Sequence, residues 1–258
     1  MISSQELKSV SRERRIALDL VEKDYVLGWI LYGICSRSIF DKLAFKGGTS
    51  LSKVYFPGNW RMSEDLDFTL LDDTEMPVLG KVLLEEVPKM ILGSIGIQVS
   101  LKKVPFTNPR YLQSKFQFTG PIGRNTVKIE ISKEAFVGTV IKSSVPKEFD
   151  YPKFSVKVYS LDNVAAEKFR ALIERGKIRD YYDAWKLLKI GKGKKRFSFR
   201  LNYDDGHGYS SNRSSYSNAS TDDRIWLSQD LPFLVFMLAG FLATVLFGDV
   251  LLQVLQHQ

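Results

Sequence analysis

Two aspartates stand one residue apart inside an otherwise apolar run, Asp65-Leu66-Asp67-Phe68-Thr69-Leu70. Alternation of acidic and apolar residues predicts a strand, because successive strand side chains point to opposite faces. Asp65 and Asp67 are therefore expected to share one face, with Leu66 and Phe68 packed behind them. Two carboxylates that close repel unless a cation sits between them. Mg2+ is the natural candidate, since it takes hard oxygen ligands and commonly bridges carboxylates to substrate phosphates. Glu130, alternating with Ile129 and Ile131 in "TVKIEIS", offers a third acid on another strand. Taken alone, the aspartate pair is equally compatible with an exposed strand face.

The residues before the pair sharpen that choice. A short apolar strand, "LAFK", runs into Gly47 and Gly48, and "TSLSKVYF" then reads as a helix with Thr49 or Ser50 available to cap it. Glycine lets a backbone approach a ligand closely, and a helix start offers free N–H groups and a positive dipole end. Most Gly-Gly pairs are simple turns. The order strand, Gly-Gly-Thr-Ser, helix, Asp-x-Asp strand is more specific. It fits a site where the turn and nearby lysines cradle a triphosphate and carboxylates hold the neutralising metal, as in nucleotidyl transfer.

The formal net charge is +8 and the pI about 9.4. That excess suits a polyanionic partner, though an unselective basic surface would look the same. A single cysteine, Cys35, rules out an internal disulfide and fits a reducing, cytoplasmic setting. The charged N-terminal stretch lacks the apolar core of a secretory signal.

Helical periodicity predicts helices through Ser3–Arg37, over "MPVLGKVLLEEVPKMILGSIG" with a possible break at Pro88, and over "VAAEKFRALIER" and "RDYYDAWKLLKI". "IQVSLKKV", "YLQSKFQFTG" and "TVKIEIS" alternate as strands. The expected fold class is α+β, a mixed sheet flanked by helices with further helices at both ends. Three regions are expected: a core with N-terminal helices over 1–155, a helical region over 156–196, and an atypical tail over 197–258. The tail begins after a basic run, passes through a Ser-, Asn- and Gly-rich stretch, and ends in the uncharged apolar segment 231–248. That segment is near the lower limit for spanning a bilayer. His207 and His257 lie in this tail with no ligand cluster around them.

Five motifs in order, "EKDYVLGWIL", "FKGGTSLSK", "RMSEDLDF", "AAEKFRAL" and "RDYYDAWKLL", give the region from Val21 to Leu188 a specific resemblance. It resembles the AbiEii/AbiGii-type nucleotidyltransferase toxins of abortive-infection and type IV toxin–antitoxin systems. The resemblance implies a DNA polymerase β-like nucleotidyltransferase core. It implies that Gly47, Gly48 and Thr49 or Ser50 form the nucleotide-phosphate turn. Asp65 and Asp67 would be the metal-binding carboxylates, and Glu130 the third acid. Lys168 would contact the nucleotide phosphates, and Asp180 would be the acidic residue of the last motif.

Read from the residues alone, Lys168 and Arg175 share a helix face beside an apolar stripe of Ala165, Phe169, Leu172 and Ile173, so a solvated face is the plain alternative. Asp180 and Asp183 could equally cap a helix and complement its dipole, with the cap favoured for Asp183. Arg175, Lys177 and Arg179 could guide an RNA backbone or pair with acids.

The resemblance implies a Mg2+-dependent enzyme that transfers a nucleoside monophosphate from a nucleoside triphosphate to an acceptor hydroxyl. RNA is the first expected acceptor, with the 3′ end of tRNA as the leading case and a protein hydroxyl as the other. A DNA-binding antitoxin encoded alongside is the implied partner. The departure is at the C-terminus, where the amphipathic helices usual in the family are replaced by the polar stretch and the apolar segment. A membrane anchor, a core helix and an aberrant reading frame are the three readings of it. A degenerate binder without turnover and a membrane-tethered variant are the alternatives to an active enzyme.

Overall fold

The computed structural model describes residues 2–58, 60–134, 136 and 138–191, together with the backbone of 198–200 and 224–226. The polar stretch, the apolar segment 231–248, His207 and His257 lie outside the described residues. The chain divides into two units, Met1–Val164 and Ala165–Gln258.

The first unit is built on a mixed sheet. Its strands are β1 (Leu43–Lys46), β2 (Asp65–Leu70), β3 (Val99–Leu101), β4 (Phe106–Asn108), β5 (Tyr111–Thr119), β6 (Arg124–Ser132), β7 (Val140–Val145) and β8 (Phe154–Tyr159). They lie in the order β3-β5-β6-β2-β1-β8-β7, with β4 paired to β5 beside β3. The pairs β2–β6 and β1–β8 are parallel and the others antiparallel. Strands β4, β7 and β8 were not expected from the sequence. In β7, a lysine and two serines interrupt the apolar alternation, whereas β8 alternates Ser155 and Lys157 with the buried Val156 and Val158.

Helix α1 (Ser4–Arg14) opens with a capping box in which Ser3 and Glu6 satisfy each other's backbone N–H groups. Helix α2 (Leu18–Cys35) is buried along most of its length and lies against α4 (Met76–Ile95) and the sheet. Such a helix must satisfy its polar side chains internally. Glu22 accepts hydrogen bonds from Ile122 N (2.6 Å) and Gly123 N (3.2 Å) in the β5–β6 turn. Asp24 pairs at 2.8 Å with the fully buried Lys53, whose ammonium also meets Glu148 at 2.8 Å. Helix α4 continues unbroken through Pro88 and ends at Gly96 in the left-handed conformation.

The second unit carries most of α5 (Leu161–Arg175) and α6 (Ile178–Gly191), then β9 (Ser198–Arg200) paired with β10 (Arg224–Trp226). In α5 the buried stripe holds Ala165, Phe169 and Leu172, but Ile173 is 78% exposed. Among the described residues, no helix is long and apolar enough to cross a membrane.

Candidate active site

The β1–β2–β6–β5 register brings the predicted acids of the first unit together. Lys46 on β1 stands opposite Asp67 on β2, Asp67 beside Glu130 on β6, and Glu130 opposite Gln113 on β5. One step along, Asp65 stands beside Lys128, and Lys128 opposite Lys115. Cross-strand partners share a face, so Asp65, Asp67 and Glu130 form one polar patch. Leu66, Phe68, Ile129 and Ile131 are buried on the other side.

The glycine turn meets this patch from above β2. Its helix, α3 (Gly47–Ser50), starts at Gly47 and continues as a wider π-turn over Leu51–Tyr55. Because the helix begins at Gly47, Thr49 and Ser50 are too far inside to cap it, and Lys46 at the cap position makes no side-chain cap bond. Instead the Thr49 hydroxyl donates to the Asp65 carbonyl, which ties the turn to β2, and Ser50 Oγ donates to Gly47 O at 2.8 Å. Gly47 has φ +77°, and a Cβ there would overlap the Asp67 carboxylate. Only glycine satisfies both constraints.

The three acids are not equivalent. Burial pushes the Asp67 carboxyl up to about 7, helped by the negative charges of Glu130 and Asp65 and by a hydrogen bond with Glu130. Burial acts on Glu130 in the same direction. It is outweighed by hydrogen bonds from Tyr111, Gln113 and Lys128, so Glu130 sits below its ordinary value. Gln113 Nε2 donates to Glu130 Oε1 at 2.6 Å, and the Tyr111 hydroxyl donates to the same oxygen. Lys128 Nζ lies 3.2 Å from Glu130 Oε2 and 3.6 Å from Asp65 Oδ2. Lys128, Tyr111 and Gln113 were missed by sequence reasoning. Lys128 is in phase with Glu130 two residues later, and the alternation of "YLQSK" put Tyr111 and Gln113 on one face, but which strand lay beside Glu130 was not readable.

The donor set fits a hard divalent cation by its chemistry. All three acids offer oxygen, and Asp67 and Glu130 are close enough to hydrogen-bond each other, an excess of negative charge that a cation would relieve. Among the described residues no three His, Cys, Asp or Glu side chains are arranged to hold an ion as they stand. Lys128 brings positive charge to the patch, and Lys46 stands opposite Asp67.

Lys168 and Asp180 belong to the second unit. Lys168, buried in α5, pairs at 3.1 Å with Asp183, which is buried six residues into α6 and so is not a helix cap. Asp180, in the first turn of α6, is buried and takes a two-pronged bond from Arg175, at 2.8 and 2.9 Å. Burial alone would raise its carboxyl, but the Arg175 guanidinium more than offsets that and holds it below the ordinary value. Two ion pairs thus join α5 to α6. Arg175 faces an acid, one of the two roles left open for it.

The model of the family described as nucleotidyl transferase AbiEii toxin, type IV TA system, matches residues 29–222. The chain belongs to the AbiEii family. All the predicted site residues fall inside the matched region. Among solved structures, MenT4, a nucleotidyltransferase toxin from Mycobacterium tuberculosis H37Rv, is similar at 23% identity and a TM-score of 0.52. The match covers 71% of this chain and 63% of that one, so the AbiEii chain spans under two thirds of MenT4. JHP933 from Helicobacter pylori matches at 20% identity and a TM-score of 0.48, over 67% of each chain. No curated protein matches the sequence. The likeness to MenT4 bears out the mixed sheet flanked by helices, in a nucleotidyltransferase toxin fold.

Proposed function

We propose that this AbiEii-family chain transfers a nucleoside monophosphate from a nucleoside triphosphate to a hydroxyl of RNA, with the 3′ end of tRNA as the leading acceptor. The observation that carries this reading is the row Asp67–Glu130 beside Asp65, on one sheet face, with Gly47 closed against Asp67. Asp65, Asp67 and Glu130 would hold Mg2+, which when bound neutralises phosphate charge and polarises the phosphorus centre. Gly47, Gly48, Thr49 and Ser50 would approach the phosphates through their backbone.

The acceptor oxygen forms a bond to the α-phosphorus as the bond to the β-phosphate bridging oxygen breaks, and pyrophosphate leaves. Glu130, held ionised by Tyr111, Gln113 and Lys128, would complete the metal shell or take the acceptor's proton. By family resemblance, Lys168 would contact the phosphates and Asp180 would be a further acid of the site. A cognate antitoxin is the expected partner, and a reducing cytoplasm the expected setting.

The test is a transfer assay. Purified protein, Mg2+ and each α-labelled nucleoside triphosphate are incubated with total RNA, beside Asp67→Asn. Label on an RNA band that vanishes in the variant supports the reading. Label on the protein itself moves the acceptor to a side-chain hydroxyl. No label from folded protein points to a degenerate binder.

A further inference from the structure

Between Glu86 and Glu130 the chain has no acidic residue. The 43 residues 87–129 contain seven Lys or Arg, whereas 29 acids in 258 residues would place about five there on average. This stretch builds β3, β4 and β5 and runs into β6, so the acid-free region is one edge of the sheet. That edge adjoins the strand that carries Glu130.

Lys102, Lys103, Arg110 and Arg124 are exposed. Among the described residues, none of these four makes an ion pair, and neither does Lys115. Between the cations, Val104 is 87% and Phe106 59% exposed. A folded chain gains nothing by leaving an aromatic ring and a valine in water. The Phe106 ring lies 6.0 Å, centre to centre, from Tyr111, and the Tyr111 hydroxyl bonds Glu130. A continuous path thus runs from an exposed ring among free cations to the acid row.

We propose that this edge, Lys102–Lys103–Phe106–Arg110 with Tyr111, seats the single-stranded end of the RNA acceptor and leads its terminal hydroxyl to Glu130. The inference rests on the reading of RNA as acceptor and adds where it binds. Unpaired cations attract the phosphate backbone, and an exposed ring stacks on a base whatever its identity. The same edge offered to a protein strand would set the five cations Lys102, Lys103, Arg110, Lys115 and Arg124 against it without counter-charge, so RNA fits the charge better.

The experiment is fluorescence anisotropy with a 5′-labelled single-stranded 12-nucleotide RNA, the full chain, EDTA and no nucleotide. Phe106→Ala and Lys102→Ala/Lys103→Ala are compared with Lys142→Ala/Lys147→Ala, which removes the same charge near the opposite edge, β7. Stacking predicts a loss of about tenfold for Phe106→Ala. The double-lysine edge variant should bind several-fold more weakly and flatten the log–log salt slope by about 1.4. The opposite-edge variant should bind like the wild type. The substituted residues are exposed, so thermal melts should be unchanged.

Equal losses at both edges, or no RNA binding by the wild type, would each overturn the proposal. The transfer assay separates the two levels. Label on RNA with edge variants that keep wild-type affinity and KM for RNA sinks this inference alone. Label confined to protein sinks the reading beneath it.

Discussion

Asp67 closes directly over Gly47. Gly47 is left-handed at φ +77°, and a side chain there would meet the Asp67 carboxylate, whose carbon lies 3.2 Å from where a Cβ would stand. The turn and the acid are therefore one unit, although 20 residues separate them. Gly47→Ala should lower stability by about 1–3 kcal/mol through backbone strain and push Asp67 off its position. A urea titration should show the first effect. A transfer rate falling further than the lost folded fraction explains should show the second. Unchanged transfer in a folded Gly47→Ala variant would separate the turn from the chemistry.

Asp67 makes stability fall as pH rises. Its folded value, about 7, lies above the ordinary 3.8. The folded state therefore holds a proton that the unfolded state releases between those values, and its stabilising contribution is full below about pH 4 and lost by about pH 7. Glu130 and Asp180 are shifted downward, so they contribute in the opposite sense, and only at pH up to their ordinary carboxylate values. In EDTA, the unfolding free energy from urea titrations should drop between pH 5 and pH 8 by an amount on the order of 1–3 kcal/mol. Asp67→Asn should remove that drop while abolishing transfer.

Lys53 is expected to be the costliest single truncation in the first unit. It is buried between Asp24 and Glu148, with the Phe149 ring 5.6 Å away. Burial alone would lower its ammonium, but the two carboxylates outweigh that and raise it above its ordinary value. Lys53→Met would leave both acids buried without their counter-charge, a loss of about 3–5 kcal/mol. Adding Asp24→Asn should recover part of it. Equal denaturation midpoints for the single and double variants would contradict the network.

The Lys168–Asp183 pair allows structure and catalysis to be told apart. Lys168→Gln should destabilise by about 2–3 kcal/mol, because it removes a partner from the buried Asp183. The double variant Lys168→Gln/Asp183→Asn should regain stability. If Lys168 also contacts phosphates, the double variant stays defective, with a raised KM for the nucleoside triphosphate. Full recovery of transfer would make the lysine a structural residue only.

Local pattern was enough for much of this. Alternation around Asp65 and Asp67 placed both on one strand face, because a strand has a fixed two-residue repeat. The same rule set Glu130 against Ile129 and Ile131, and the helical repeat located α2, α4, α5 and α6. Pro88 was a misleading break, since α4 runs through it. Thr49 and Ser50 looked like caps because residue type alone does not say on which residue the helix begins.

Only the tertiary structure decided who stands beside whom. Strand order put β6 against β2, and so Glu130 beside Asp67 and Lys128 beside Asp65. That adjacency adds charge crowding to the burial that lifts Asp67, and the pairing of β5 with β6 brings Tyr111 and Gln113 to Glu130. It also laid the acid-free strands along one edge, next to the acids they leave out. Periodicity is a short-range property of the chain and can be read from neighbours in sequence. Pairing between strands some 60 residues apart is settled by the packing of the whole core, which no local pattern encodes.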